Sequence, residues 1–414
     1  MVVKYVIIGA GPAGLTAAET LREYGVDATI SMVSREPYPP YSPPAMVEYF
    51  LTGSPVHFWK GKDITGRLGI DYHSGSKIRR IDRKQRQVYL ENGSELPYDR
   101  LLIAAGSRLY TPLEGSDKEG IYNFKSLLAG EELVSRVRKG EAKTALIVGA
   151  GFIGVEIALL LRAIGVSVTM LVRSRVMRGM LDPETSQFVL EKIKERGIDV
   201  LTGDDADAKA FEGGQRAEAL RMRSGRELTA DLLVAATGLK PNLEFLSGSG
   251  IHTDWGIPVD DHLRTSDPSI FAAGDIAETV ERISGRRGPY PNYPNAVAQG
   301  RVAGYNLLGW DVVYAGADSM NSLKHLGLPV MAGGIMEGEE MCLRRDGVLR
   351  KLWVKNDRLV GFRLAGDVSG AGIYLSLMRR KARISSLRDI LLDPRFGMSY
   401  LAGTAFAPSL NPAL

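Results

Sequence analysis

One pattern occurs twice in this chain, with starting points 140 positions apart: a β-favouring run that breaks into Gly-x-Gly-x-x-Gly and then into a helical repeat. In the first copy residues 5–8 run into Gly9-Ala10-Gly11-Pro12-Ala13-Gly14. Leu15, Ala18 and Leu21 then share a helical face, Gly25 stops the helix, and a second apolar strand spans 28–33. In the second copy a strand over 145–148 leads into Gly149-Ala150-Gly151-Phe152-Ile153-Gly154. A helix follows to about Ile164, then Gly165 and a strand over 166–172. The three glycines have separate tasks. The first makes the tight turn, the second lets backbone approach a pyrophosphate, and the third lets helix pack on strand. The helix that follows presents free N–H groups to the phosphates. Two complete units imply two bound dinucleotides, with electrons passing between them.

The residues after each second strand bear on the ribose, which an acid about 20 residues on normally holds. The first unit ends Met32-Val33-Ser34-Arg35-Glu36, and leaves Ser34 and Glu36 as alternatives on either side of Arg35. In the second unit Val172 stands where a carboxylate would select NAD, and Arg173, Ser174 and Arg175 follow. Arginine accommodates a 2′-phosphate, so Arg173 and Arg175 lean toward NADPH. Two plain solvent-exposed arginines are the competing reading. Each unit closes on a strand with small residues, one ending Ala104-Ala105-Gly106-Ser107 and the other Ala236-Thr237-Gly238. Further on, Ile270-Phe271-Ala272-Ala273-Gly274-Asp275 sets an aspartate after a glycine at a strand end. Such a carboxylate suits the ribityl hydroxyls of a flavin, and it also suits a helix N-cap.

Composition removes several alternatives. At 414 residues two or three domains are expected. The single cysteine, Cys342, excludes an intramolecular disulfide, a Cys-x-x-Cys pair and a cysteine-ligated iron–sulfur cluster. A net charge of +4 is too mild to indicate nucleic acid. His57, His73, His252, His262 and His325 are scattered, and no metal-ligand cluster is expected. The apolar start is broken by Gly9, Gly11, Pro12 and Gly14, which reads as a loop and not as a signal-peptide core. No uninterrupted apolar stretch of about 20 residues exists, so no membrane span and a cytoplasmic location are expected.

Taken in order, GAGPAG, IAAGS, GAGFIGVE, ATGLKPN and IFAAGDIAE resemble the FAD-dependent pyridine nucleotide reductases over roughly residues 1–310. The resemblance implies an α/β chain with two Rossmann-like dinucleotide-binding domains and a smaller α+β C-terminal domain. FAD would occupy a discontinuous domain, 1–112 and 239–310, NAD(P) an inserted domain, 113–238, and an interface domain would cover 311–414. The segment from Glu36 to Ala45 holds no thiol, which sets the chain apart from disulfide and coenzyme A reductases and from water-forming oxidases. It resembles instead the thiol-free branch of rubredoxin and ferredoxin reductases and the flavin portion of assimilatory nitrite reductase. The lysine those ferredoxin reductases keep near the flavin is replaced here by Val47 or Glu48.

By this resemblance the cofactor-binding residues are Gly9, Gly11, Pro12, Ala13, Gly14, Ser34, Arg35, Glu36, Ser42, Ala105, Gly106, Gly274, Asp275, Asn295, Ala296 and Val297 for FAD. For NAD(P) they are Gly149, Gly151, Phe152, Ile153, Gly154, Arg173, Arg175, Thr237 and Gly238. Glu156 is the catalytic candidate beside nicotinamide and flavin, with a surface helix residue as its plainer reading. The helix opening near Pro294 would aim its N-terminus at the flavin N1–O2 edge. The implied activity is that of an FAD-dependent NAD(P)H:acceptor oxidoreductase, with hydride transfer from nicotinamide C4 to flavin N5 and no redox cysteine. Its partner would be an iron–sulfur carrier of ferredoxin or rubredoxin type, or a fixed iron–sulfur subunit, with a homodimer or a multi-subunit complex as the setting. The alternatives are an NAD(P)H oxidase and a redox-sensing flavoprotein of the apoptosis-inducing-factor type.

Near the C-terminus, strands over 348–355 and 358–365 joined by Asn356-Asp357, with a helix over 373–380, resemble the C-terminal domain of rubredoxin and nitrite reductases. Between residues 344 and 395 thirteen basic residues stand against five acidic ones, Asp346, Asp357, Asp367, Asp389 and Asp393. A basic surface that steers an acidic partner is one expectation from this excess. Charges paired among themselves are the other.

Overall fold

The computed structural model describes residues 2–25, 27–57, 60–323, 327–345, 347–397 and 400, so His325 and Asp346 lie outside the described residues. The chain divides into two compact units, Met1–Met177 with Ile193–Asp318, and Arg178–Lys192 with Ser319–Leu414. Among the described residues no helix is long and apolar enough to cross a membrane.

The first unit contains the same sheet twice. One runs Ile270–Ala272, Arg100–Ile103, Lys4–Ile8, Thr29–Val33, Asp71–His73 in space, and every neighbouring pair is parallel. The other runs Ile121–Tyr122, Leu232–Ala235, Thr144–Val148, Ser167–Val172, Asp199–Thr202, again all parallel. Each glycine-turn strand is therefore the central strand of five. Both its faces are covered, which is why Tyr5–Ile8 and Ala145–Val148 are continuously buried and do not alternate. Two chain crossings link the sheets, and they pair with one another as the antiparallel strands Ser107–Leu109 and Leu239–Pro241.

Two helices converge on the first glycine turn. Helix Pro12–Tyr24 packs against helix Tyr293–Leu307 through small residues. A Cβ on Gly300 would come within 2.3 Å of the Ala13 carbonyl oxygen, and one on Gly304 within 2.7 Å of Thr20 Cβ. Larger side chains would separate the helices and withdraw the second one from the turn.

The second unit is a five-stranded antiparallel sheet in the order Met320–Leu323, Val330–Gly334, Arg358–Ala365, Val348–Lys355, Glu339–Arg345, with helix Ala371–Arg379 packed on it. Asn356 and Asp357 join the two long strands with φ of 52° and 58°, the doubly left-handed turn that a twisted two-residue hairpin requires.

Three of the basic residues counted in this region are buried, and others are paired at the surface. Arg350 is buried against Asp367, Lys351 against Asp182, Glu184 and Glu340, and Arg363 under Trp353 with its guanidinium on the Gly333 carbonyl. Arg388 pairs with Glu339, Lys355 with Glu337 and Arg395 with Asp393. The expected attractive surface is correspondingly smaller. Strand Val348–Lys355 is buried from Leu349 to Val354, so its charges needed partners inside the fold.

Candidate functional site

The first glycine turn is a cradle with one open side. Gly9 sits at φ +110°, and a Cβ there would lie 2.1 Å from the Ala104 carbonyl oxygen. A Cβ on Gly14 would lie 2.0 Å from the Gly9 carbonyl oxygen. Gly11 differs: it is the N-cap of helix Pro12–Tyr24, has φ −73° and ψ −175°, and a Cβ there would meet nothing within 4 Å. No side chain caps this helix. Pro12 has no N–H, so Ala13 and Gly14 present the unused amides of the first turn. An open, uncapped helix N-terminus with room above its glycine fits a pyrophosphate.

Ser42, Pro12 and Tyr293 line one cleft with Leu15, Tyr41 and His57. The Ser42 hydroxyl is buried and has no hydrogen-bond partner among the described residues. A buried unpaired hydroxyl beside this cradle fits a polar ligand there.

Strand ends bring the remaining pieces to the same turn. Gly274, at φ +80°, lies between Ala13 and Ala296, and a Cβ there would crowd the Ala13 Cβ at 3.2 Å. Its amide donates to Gln299 Oε1 at 2.7 Å. Asp275 accepts from the Ser107 hydroxyl at 2.7 Å and from the Lys125 ammonium at 2.9 Å. Asn292 caps helix Tyr293–Leu307 by accepting from the Asn295 amide. The Asn295 side chain is committed to the backbone, donating to Tyr290 and Asp318 and accepting from the Asp318 amide. Gly106, at φ +67°, has open space above it, and Asn242 Nδ2 donates to the Ala105 carbonyl. Val297 is partly exposed on the same helix, just past its first turn.

The two ribose alternatives have different surroundings. Both carboxylate oxygens of Glu36 are engaged, one by the Tyr41 hydroxyl at 2.6 Å and one by the Leu128 amide at 3.3 Å. Ser34 Oγ accepts from the Glu36 amide at 3.2 Å, is a side-chain partner of Tyr72, and stands at the end of strand Thr29–Val33. Arg35 is exposed.

The second turn repeats the first. Gly149 has φ +107°, a Cβ on Gly154 would lie 2.4 Å from the Gly149 carbonyl oxygen, and Gly151 is an uncapped, open N-cap at φ −74° and ψ −177°. Phe152 and Ile153 are half-buried on the first helical turn. Thr237 donates to the Tyr110 carbonyl at 2.6 Å, and the Gly238 carbonyl accepts from the Tyr110 amide at 2.9 Å. At the end of strand Ser167–Val172, Arg173 lies 3.9 Å from Asp207, and Arg175 is exposed two residues on. Glu156 carries no hydrogen bond or ion pair among the described residues, and burial pushes its carboxyl up to about 7. A carboxyl poised near neutrality inside a nucleotide fold is a candidate for work at the reacting ring.

Two members of the site escaped sequence reasoning. Lys125 is 150 residues from Asp275 and in no motif. It nevertheless places an ammonium at the flavin-type carboxylate, in a chain with no lysine at positions 47 or 48. Asp207 joins Arg173 from beyond the next strand. Only the fold could have found either. Lys125→Met is expected to weaken FAD retention by about fivefold, with Lys125→Arg restoring it, as read by apoprotein titration with FAD.

Cys342 is remote from this chemistry in sequence and unit. It lies by Glu184 and Glu340, whose carboxylates already hold the Lys351 ammonium at 2.7 and 2.8 Å. Burial first, and then the Glu184 carboxylate, push its thiol above the ordinary range, so it is a poor nucleophile.

Residues 3–300 match the pyridine nucleotide-disulphide oxidoreductase family. The electron transfer subunit of the assimilatory nitrate reductase of Bacillus subtilis is 27% identical over 94% of this chain, which spans about half, 51%, of that protein. The epsilon subunit of the NADH-dependent phenylglyoxylate dehydrogenase of Aromatoleum evansii is 28% identical, covering 93% of this chain and 94% of its own. Among solved structures, the covalent putidaredoxin reductase–putidaredoxin complex aligns with a TM-score of 0.80 at 26% identity, covering 92% of this chain and 93% of the other. The duplicated cradle, the orphan hydroxyl and these likenesses agree: the chain belongs to the pyridine nucleotide-disulphide oxidoreductase family and is an oxidoreductase whose cofactors are FAD and NAD(P).

Proposed function

We propose that this chain carries electrons between a nicotinamide nucleotide and an iron–sulfur protein, in the cytoplasm where the reduced nicotinamide pool lies. The observation that carries the reading is that both open glycine cradles lie in one compact unit that contains no cysteine. Electrons therefore need no thiol between the two nucleotides. Bound FAD supplies a centre that takes a hydride and gives electrons up singly or in pairs. The protein's residues do the rest. The amides of Ala13 and Gly14 hold one pyrophosphate, and those of the Phe152–Ile153 turn hold the other. Asp275, fixed by Ser107 and Lys125, positions the ribityl chain, and Glu156 sets the charge beside the nicotinamide.

In this proposal residues 1–112 and 239–310 form the FAD domain, 113–238 the NAD(P) domain, and 311–414 an interface domain. The partner is a small carrier or a fixed subunit. The names of the relatives support this, since one works with putidaredoxin and another is a subunit of a larger dehydrogenase.

Anaerobic stopped-flow mixing tests the proposal. Reduced nicotinamide should bleach the flavin, and reoxidation should follow when an oxidised ferredoxin or rubredoxin is added. Cys342→Ser should leave both rates unchanged. Bleaching without transfer to either carrier, combined with sustained oxygen uptake, would replace this reading by that of an oxidase.

A further inference from the structure

We propose that Arg173 and Arg223, fixed by Asp207, read the 2′ position of the nicotinamide nucleotide and select its 2′-phosphorylated form. The inference deepens the functional reading above and rests on the Gly149 fold holding that nucleotide. Strands Ser167–Val172 and Asp199–Thr202 are parallel neighbours with Val172 opposite Thr202, so their carboxyl ends open together. The Gly149 amide donates to the Leu171 carbonyl, which ties the glycine turn to that same end. In a doubly wound sheet, the ribose of a dinucleotide whose pyrophosphate sits on the turn lies over the end of the next strand.

Val172 offers no carboxylate there, and it is buried. Instead the fold assembles two guanidinium groups. Arg173 follows the strand directly. Arg223 arrives at the end of the hairpin strand Ala219–Met222, with its amide donating to the Asp207 carbonyl at 2.9 Å. The Asp207 carboxylate bridges them, with Oδ2 3.0 Å from Arg223 Nε and Oδ1 3.9 Å from Arg173 Nη1.

Both arginine side chains remain about three-fifths exposed, at 62% and 63%, while Asp207 is at 25%. Each guanidinium has five donors, and one carboxylate cannot use them all. The trio carries one net positive charge, and its unused donors face solvent at the ribose position. A phosphate dianion meets that demand, and a neutral hydroxyl does not. Asp207 is an unsuitable acid for a free 2′-hydroxyl, because both its oxygens already face guanidinium groups. Its task is to hold Arg223 by a hydrogen bond and to keep Arg173 nearby by charge, which reduces the entropy lost when an anion binds. Asp204 and Asp205 on the preceding turn are exposed and pair with neither arginine among the described residues.

Calorimetry on the FAD-loaded protein, with ADP-ribose and 2′-phospho-ADP-ribose as probes, tests this without turnover. The phosphorylated probe should bind about tenfold or more tightly. Arg223→Ala should lower its affinity by about tenfold and affect ADP-ribose much less. Asp207→Asn should weaken the phosphorylated probe more than the plain one. Equal affinities in the wild type, or a gain in phosphorylated-probe affinity on Asp207→Asn, would overturn the proposal and leave the nucleotide site standing. Binding of neither probe would overturn the functional reading beneath it.

Discussion

Gly11→Val is expected to give a folded but colourless protein, and Gly151→Val a yellow one that reduced nicotinamide hardly bleaches. Both positions are helix N-caps in an extended conformation open to any side chain, at φ −73° and −74°. At neither would a new Cβ touch protein within 4 Å. The added isopropyl groups therefore cost the polypeptide little, and occupy the space through which a pyrophosphate approaches the amides of the first turn. Charge-assisted hydrogen bonds contribute about 1.5–3 kcal/mol each, so losing two of them weakens binding by about two to four orders of magnitude. The flavin absorbance of the purified variants, with flavin bleaching by NADH and NADPH, separates the two cradles. Melting temperature should be compared with wild-type apoprotein, because loss of a ligand lowers it by linkage alone. Gly14→Val and Gly154→Val are the contrasting controls. Their Cβ atoms would strike backbone carbonyl oxygens at 2.0 and 2.4 Å, and those variants should lose stability as well as nucleotide. If Gly11→Val keeps its flavin, the cradle is not where FAD binds.

The contrast between these glycines also marks what a sequence can disclose. Each motif glycine answers to a backbone demand within a few residues, so the turns, their flanking strands and the duplicated sheet were legible from spacing alone. The Asn356-Asp357 hairpin was legible for the same reason. Side-chain partnerships formed by topology were not. Lys125 follows a strand of one sheet and Asp275 a strand of the other, so only the fold brings them together. Arg350, Lys351 and Arg363 look like a solvated basic face when counted, yet they are buried and answered by Asp367, by Asp182, Glu184 and Glu340, and by backbone carbonyls. Charge counting assumes that an ion faces water, and a strand buried on both faces breaks that assumption. The partners of Glu36, the Tyr41 hydroxyl and the Leu128 amide, were likewise set by the fold and not by spacing.

Glu156→Gln is expected to remove a pH dependence from both stability and flavin reduction, the first between about pH 4.5 and 7 and the second near pH 7. In the wild type, burial raises this carboxyl from 4.5 to about 7. Between those values the folded protein holds a proton that the unfolded chain releases, so stability falls as pH rises through the interval. The loss is complete above about pH 7, and at 1.36 kcal/mol per pKa unit it is on the order of 3 kcal/mol. Glutamine cannot ionise, so the variant should gain on the wild type between pH 5 and pH 8, as denaturant titrations at both values would show. The kinetic arm has the opposite sign. Reduced nicotinamide becomes cationic as it gives up hydride, and a carboxylate beside it favours that product where a neutral acid does not. Flavin reduction should therefore quicken as pH rises through about 7 in the wild type and stay flat, at the slower level, in Glu156→Gln. A flat wild-type rate profile beside a pH-dependent stability would make Glu156 a buried acid with no part in the transfer. It would also move the search for the group that tunes the nicotinamide to the residues around Thr237 and Gly238.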